Sequence, residues 1–230
     1  MIKLFNDDCL SFLNSQQCKN LFKNKKVVVV TDPPFNIGYH YNTYKDNLDE
    51  SVYLNFLKTV FTDVVGFEGL VVIQYPEALY KLAFEMGYFP EKVVSWVYNS
   101  NTAKQHRDIA FFGIKPDFNK VRQPYKNPND KRIKERIARG CKGAKLYDWW
   151  NVNQVKNVSK DKTKHPCQMP LEVMKNIIGI LPDDVVIFDP FMGSGTTGLA
   201  CKELERDFIG CEIDKEYYEI SCERLNFNKE

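Results

Sequence analysis

The 230-residue sequence lacks the marks of a membrane-spanning, secreted or zinc-binding protein. No apolar run is long enough to cross a bilayer. Residues 1–8 turn acidic where a signal peptide would carry its apolar segment, which predicts a cytoplasmic protein. The seven cysteines include no C-x-x-C pair, which argues against a zinc or thioredoxin-like site and predicts reduced, partly buried thiols. Repeats and low-complexity stretches are also missing, and the length suits one sizeable domain.

Charge is distributed unevenly along a chain whose formal net charge is only +2. Residues 115–164 contain 15 basic and five acidic side chains, a net of +10, which leaves a net of −8 elsewhere. A basic segment on an acidic body is typical of a protein that binds a polyanion. A solvated loop has the same composition, so charge alone leaves both interpretations open.

Short apolar runs alternate with helical patterns along most of the chain. Buried strands are predicted at 27–30, 70–74, 185–188 and 208–211. Helices are predicted at 54–64, 79–86, 170–180, 195–204 and 217–225, with Gly87 ending the second. The alternation predicts an α/β fold with a mostly parallel, twisted sheet and helices on both faces. Residues 36–50 and 115–164 lack periodicity, which is typical of functional loops or mobile segments.

A glycine-rich turn, Asp189-Pro190-Phe191-Met192-Gly193-Ser194-Gly195-Thr196-Thr197-Gly198, follows the third predicted strand. The order strand, turn and helix suits a ligand at the carboxyl edge of the sheet, and glycine allows close backbone approach. Glu212 ends the next strand, where its carboxylate can hold two ribose hydroxyls. The G-x-G-x-x-G spacing also fits a dinucleotide-dependent oxidoreductase or a turn without a ligand.

The segment Asp32-Pro33-Pro34-Phe35 follows the first predicted strand. Two prolines stiffen the backbone and remove two donors, so that the Pro33 carbonyl can serve as a free acceptor beside Asp32. Phe35 offers an apolar plate for a flat ring. Together these groups suit an aromatic amine, whose two N–H bonds need two acceptors, although a strand-ending turn would also contain such residues.

These motifs resemble those of the β-class DNA amino-methyltransferases, the adenine-N6 group of restriction–modification and solitary enzymes. Asp32-Pro33-Pro34-Phe35 is similar to their catalytic tetrapeptide, in which Tyr is commoner than Phe at the last place. Residues 189–197 resemble their cofactor loop, residues 163–170 the segment before it, and Asp7-Asp8-Cys9-Leu10 their N-terminal element. The catalytic segment precedes the glycine turn, as in the β class.

The resemblance implies a Rossmann-like methyltransferase domain over 1–230, with 115–164 a basic target-recognition insertion. It implies S-adenosylmethionine as the cofactor and chemistry without a metal or a covalent intermediate. Asp8 would contact the adenine of the cofactor, and His165 could instead be a capping or core residue. The residues expected to bind the cofactor are Asp8, Asp32, His165, Gln168, Asp189, Phe191, Gly193, Ser194, Gly195, Thr196 and Glu212.

The expected substrate is double-stranded DNA, from which the target adenine is flipped and held against Phe35. Trp149 and Trp150 could wedge into the duplex or belong to the core. A homodimer and a cognate restriction endonuclease are further expectations. Phosphate contacts are expected from the basic side chains Lys131, Arg132, Lys134, Arg136 and Arg139.

Several other functions share some of these features. Cytosine-N4 methyltransferases usually carry Ser where Asp32 stands, and many RNA adenine methyltransferases have Asn there and a different motif order. A cytosine carbon-5 enzyme would use Cys167 as a thiolate nucleophile. A dinucleotide-dependent oxidoreductase would leave residues 32–35 unexplained, and a non-enzymatic DNA-binding module would leave both ligand-binding motifs unexplained. The sequence therefore favours adenine methylation.

Overall fold

One large sheet forms the centre of the protein. The computed structural model describes residues 1–64, 66–156, 158–159 and 161–227. The strands are β1 (Ile2–Asn6), β2 (Lys26–Thr31), β3 (Phe67–Gln74), β4 (Lys92–Val97), β5 (His106–Phe112), β6 (Arg122–Gln123), β7 (Ala144–Lys145), β8 (Trp149–Asn151), β9 (Val185–Asp189) and β10 (Phe208–Glu212). The main sheet has the order β1-β10-β9-β2-β3-β5-β4-β8, and β6 pairs with β7 separately.

Strand direction brings the sequence motifs to one edge of the sheet. The pairs from β1 to β3 are all parallel, whereas β5 is antiparallel to both β3 and β4. The carboxyl ends of β1, β2, β9 and β10 therefore meet at one edge, and β5 begins at that same edge. This is the usual ligand-binding edge of an open α/β sheet.

The helices are α1 (Cys9–Asn14), α2 (Gln16–Phe22), α3 (Glu50–Thr62), α4 (Pro76–Met86), α5 (Lys131–Ala138), α6 (Leu171–Gly179), α7 (Thr196–Glu203) and α8 (Lys215–Leu225). Local chemistry sets their ends. Asp8 caps α1 through the amides of Leu10 and Ser11, and Pro76 opens α4. Gly87 ends α4 with φ of 77°, a conformation that strongly favours glycine.

Side chains alternate along the buried strands and form two hydrophobic cores. Val28 and Val30 of β2 pack with residues of α6, α7 and α8. Val27 and Val29 pack with residues of α1 to α4 on the opposite face. Helices thus cover both faces, which is why β2 is apolar at every position between Lys26 and Thr31.

The predicted α/β fold is confirmed, and each predicted strand and helix is present with small shifts of its ends. The sequence interpretation did not anticipate β1, β4, β5, α1 or α2. Residues 115–164 include α5 and end in β8, which joins the main sheet, so this segment is partly built into the domain. All seven cysteines are unpaired and five are buried. Among the described residues, no helix is both long and apolar enough to span a membrane.

Candidate active site

A cavity of about 310 Å³ lies where the carboxyl ends of β1, β2, β9 and β10 meet. Asp8, Asp32, Asp189 and Glu212 contribute one side chain from the end of each strand or the residues just after it. The rest of the lining comes from residues 33–46, from 165–169 and from the glycine turn, with Arg107 of β5. The fold therefore unites the Asp-Pro-Pro-Phe segment and the glycine turn, which are about 160 residues apart in sequence.

Asp32 presents one free carboxylate oxygen in this cavity. Its Oδ1 is buried and has no hydrogen-bond partner among the described residues. Its Oδ2 lies 3.8 Å from Nη1 of Arg107. Burial raises the pKa of Asp32 to about 7; the Arg107 charge opposes this rise, and the Asp189 charge adds to it. The carboxylate can therefore accept a hydrogen bond from a ligand or exchange a proton near neutral pH.

The two prolines and Phe35 are held by neighbouring polar and aromatic groups. The Tyr53 hydroxyl donates to the Pro34 carbonyl over 2.6 Å. The hydrogen bonds of the described residues include none to the Pro33 carbonyl. The Phe35 ring meets that of Tyr75 edge-on, with centroids 5.1 Å apart. The segment is thus rigid, with the Asp32 and Pro33 acceptors close together.

Asp189 builds the glycine turn. Its Oδ1 accepts hydrogen bonds from Thr31 Oγ1 at 2.8 Å and the Phe191 amide at 3.1 Å. Its Oδ2 accepts one from Thr197 Oγ1 at 2.5 Å. Burial raises the pKa of Asp189 to about 6, although these donors favour the ionised form. The carboxylate ties β2, β9 and α7 together and leaves little capacity for a ligand.

Gly193 and Glu212 form a second polar group. Gly193 has φ of 51°, and a Cβ there would lie 2.8 Å from Nε2 of His165. Its amide donates to Glu212 Oε2 at 2.8 Å, and the Asp214 amide donates to Oε1 at 2.9 Å. Burial raises the pKa of Glu212 to about 7, against the effect of these two donors. Each oxygen retains a lone pair that a hydroxyl donor could use.

His165 and Gln168 lie close together but have different surroundings. His165 lines the cavity, packs edge-on against Tyr217 at 4.4 Å, and has no partner for Nδ1 among the described residues. Burial lowers the pKa of His165 to about 4. Gln168 bonds instead to the Thr163 amide and the Asp161 carbonyl, both at 2.8 Å. It is not among the residues that line the cavity, so the expected direct cofactor contact gives way to a loop-supporting position.

The remaining expected cofactor residues also vary in position. Phe191, Ser194 and Thr196 line the cavity, but the Ser194 and Thr196 hydroxyls already contact Arg224 Nη1 at 3.2 and 3.0 Å. Gly195 is absent from the lining, and a Cβ at this position would lie 3.0 Å from the side chain of Ser221. Gly195 is thus needed for close packing against α8.

The loop 36–48 supplies residues that the sequence interpretation missed. Asp46 is buried and accepts hydrogen bonds from the amides of Asn36, Ile37 and Tyr39 at 2.8, 3.1 and 2.8 Å. This clamp turns the loop so that Tyr39, Tyr41 and Tyr44 line the cavity. The run of three tyrosines was the available signal, but its irregular spacing predicts no regular element.

The expected phosphate-binding residues lie on or beside α5, well apart in sequence from the motifs of the cavity. Lys131, Arg132, Lys134, Arg136 and Arg139 are all exposed. α5 has no buried residue. Of the two tryptophans, Trp150 is buried in the core and Trp149 is 49% exposed. Phosphate contact by α5 stays a prediction.

Known proteins resemble this chain over most of its length. A family model described as a DNA methylase, N6_N4_Mtase, matches residues 27–223. The Type II methyltransferase M.HpaI of Haemophilus parainfluenzae is 31% identical over 228 residues, which cover 90% of this chain and 70% of the relative. The solved complex of M1.HpyAVI with SAM superposes with a TM-score of 0.62 at 25% identity, covering 98% of this chain and 100% of that one.

The PvuII DNA methyltransferase, described as cytosine-N4-specific, has a TM-score of 0.66 at 19% identity, with 97% of this chain and 86% of that one covered. That likeness shows a shared fold. The cavity also fits the cofactor of such enzymes, because carboxylates of Asp8 and Glu212 lie with the apolar side chains of Phe191 and Ile213 in one lining. The chain belongs to the DNA methylase family, a family of S-adenosylmethionine-dependent DNA methyltransferases.

Proposed function

We propose that this methyltransferase modifies the N6 amino group of adenine in double-stranded DNA. The observation that carries the proposal is the Asp32 carboxylate, whose Oδ1 lies in the cavity without a partner among the described residues. An exocyclic amino group has two N–H donors and needs two acceptors. Asp32 Oδ1 and the Pro33 carbonyl are such a pair, and Phe35 is the adjacent aromatic surface.

S-Adenosylmethionine would supply an electrophilic methyl group. Two hydrogen bonds from the amino group to Asp32 and Pro33 would orient the nitrogen lone pair toward it. As the new N–C bond forms, the nitrogen must lose a proton. Asp32 is the nearest base in position to take it, since its pKa of about 7 allows both protonation states at neutral pH.

Glu212 and Asp8 are the proposed partners of the polar groups of the cofactor. Glu212 is fixed by two backbone amides and presents its carboxylate to the cavity, which suits two ribose hydroxyls. Asp8 lines the same cavity while its Oδ1 caps α1, which leaves Oδ2 for an amino donor. His165 stays neutral at physiological pH and is proposed to shape the turn at Gly193.

Adenine is favoured over cytosine on the residue at position 32. The resemblance in sequence associates Asp with adenine-N6 enzymes and Ser with cytosine-N4 enzymes, whereas the fold is common to both. A base within a duplex cannot reach this enclosed cavity, so the target base would be flipped at a cost of a few kcal/mol. The basic 115–164 segment would bind the flanking phosphates.

The identity of the methylated nucleoside tests this proposal. The protein would be incubated with labelled S-adenosylmethionine and duplex DNA of random sequence, and the digested product would be separated by mass. We expect N6-methyladenine. Label on cytosine N4 would overturn the adenine assignment, and label on RNA with none on DNA would overturn the substrate class. Single-stranded DNA of the same sequence is the matched substrate control.

A further inference from the structure

Arg107 is the charged side chain of the cavity to which the sequence motifs assign no role. It comes from the first residues of β5, which lie at the active edge because this strand is antiparallel to its neighbours. Its guanidinium carbon lies 4.5 Å from the centre of the Phe35 ring. Its Nη1 lies 3.8 Å from Asp32 Oδ2. One side chain thus contacts both ends of the Asp-Pro-Pro-Phe segment.

We propose that Arg107 is a positioning residue for methyl transfer: its guanidinium keeps the Asp32 carboxylate ionised and turned so that Oδ1 faces the target amino group. This inference rests on the proposed function of Asp32. A protonated carboxyl would offer an O–H donor to an amino group that needs an acceptor. A fixed cation at Oδ2 favours the ionised form and leaves Oδ1 free.

The surroundings of Arg107 suit this role. Its side chain is only 14% exposed, and its Nε has no partner among the described residues. The rings of Tyr75, Trp96 and Tyr98 lie 5.4–5.9 Å from the guanidinium carbon. Arginine remains charged in such a site, because its pKa is far above neutrality. Aromatic faces stabilise the buried cation and limit its movement away from Asp32.

The other titratable groups that face Asp32 do not supply a compensating charge. They are Asp189 of β9, Tyr41 of the 36–48 loop, Tyr53 of α3 and Cys167 of the segment before α6. The tyrosines and the cysteine are neutral, since burial raises the pKa of each. Asp189 is an acid and raises the pKa of Asp32 further. Among these groups Arg107 alone favours the carboxylate.

The test measures the ionisation of Asp32 directly. The protein is labelled with ¹³C at aspartate carboxyl groups, and the Asp32 signal is assigned by its loss in Asp32→Asn. Its titration midpoint is compared in wild type, Arg107→Met and Arg107→Gln. An opposite charge within about 4–6 Å lowers a carboxyl pKa by about 1–3 units. We therefore expect both variants to titrate at least about one pH unit higher than wild type.

Matched variants separate charge from packing. Lys104 also lies over the Tyr75 ring, at 4.1 Å, so Lys104→Met removes a neighbouring cation without touching Asp32 and should leave the midpoint unchanged. Arg107→Lys keeps the charge and should restore most of the wild-type midpoint. Arg107→Gln keeps a planar amide against Phe35 if Arg107→Met does not fold.

Equal midpoints in wild type and a folded neutral variant would overturn the inference. A shift in Lys104→Met as large as that in the Arg107 variants would also overturn it. The titration needs no substrate, so its result is independent of which base is methylated. If the midpoint shifts as expected, the acid limb of the transfer rate against pH should shift by the same amount. An unshifted limb would contradict the role in transfer.

Discussion

Replacement of Asp46 by Ala would test how the 36–48 loop is held over the cavity. The Asp46 side chain is buried and accepts three backbone hydrogen bonds, from Asn36, Ile37 and Tyr39. Ala removes all three acceptor contacts at once. The backbone bond from the Gly38 amide to the Asp46 carbonyl does not involve the side chain and should remain. We therefore expect the loop to open more often without unfolding of the domain.

The size of the effect follows from the number of bonds. A hydrogen bond to a charged acceptor contributes about 1.5–3 kcal/mol, so three would total roughly 4.5–9 kcal/mol if they were additive. The released amides regain hydrogen bonds with water, because the loop lies at the surface. We therefore expect a net loss of about 2–4 kcal/mol in local stability, which is roughly a 30- to 1,000-fold increase in opening.

Amide hydrogen exchange at Asn36, Ile37 and Tyr39 measures this opening. Asp49→Ala is the matched control, because it removes the same charge and the cap of α3 but none of the three bonds. The control should cost about 1 kcal/mol at α3 and leave the loop protected. Unchanged exchange of the three amides in Asp46→Ala would refute the clamp.

Three further predictions concern pH, backbone strain and DNA binding. His165 titrates at about 4 when folded and 6.5 when unfolded, so falling pH favours the unfolded state; between pH 7 and 5 in urea titrations, wild type should lose about 2 kcal/mol more than His165→Gln. Gly193→Ala should lose about 2–4 kcal/mol and bind S-adenosylmethionine less tightly, whereas Gly140→Ala, with φ of 85° and an open site, should lose about 1 kcal/mol; equal losses would contradict the His165 contact. Neutralising the four basic residues of α5 should lower the salt dependence of DNA binding by about 0.9 per lost phosphate contact; an unchanged slope would remove α5 from the interface.

Sequence patterns predicted the parallel half of the sheet well. The runs at β2, β9 and β10 are apolar at nearly every position, because helices cover both faces there. Their carboxyl ends share one edge, so Asp32 and Glu212 could be expected near one cavity. The resemblance to known enzymes added Asp8, which geometry alone would not have assigned.

The antiparallel part was harder to predict. β5 begins with three polar residues, His106, Arg107 and Asp108, and becomes apolar only afterwards. Its direction decides that this polar end lies at the active edge, and strand direction depends on pairing with distant residues. Arg107 was therefore missed, although a polar start followed by an apolar run was the available signal.

Loop contacts explain the remaining differences. The 36–48 loop has no helix or strand period because Asp46, not a regular backbone ladder, holds its amides. Gln168 belongs to a motif that suggests ligand contact, yet its amide is occupied by Thr163 and Asp161. Such side-chain bonds depend on exact loop geometry, which local sequence patterns do not specify.

The most direct test of the account is the rate of N6-methyladenine formation by wild type and Asp32→Asn in single turnovers at saturating S-adenosylmethionine and duplex DNA. Asparagine keeps the size of the side chain but cannot accept a proton. We expect the rate to fall by at least about 100-fold, with affinities for DNA and S-adenosylmethionine within about threefold of wild type. A near wild-type rate, or a loss explained by weaker DNA binding, would contradict the central role of Asp32.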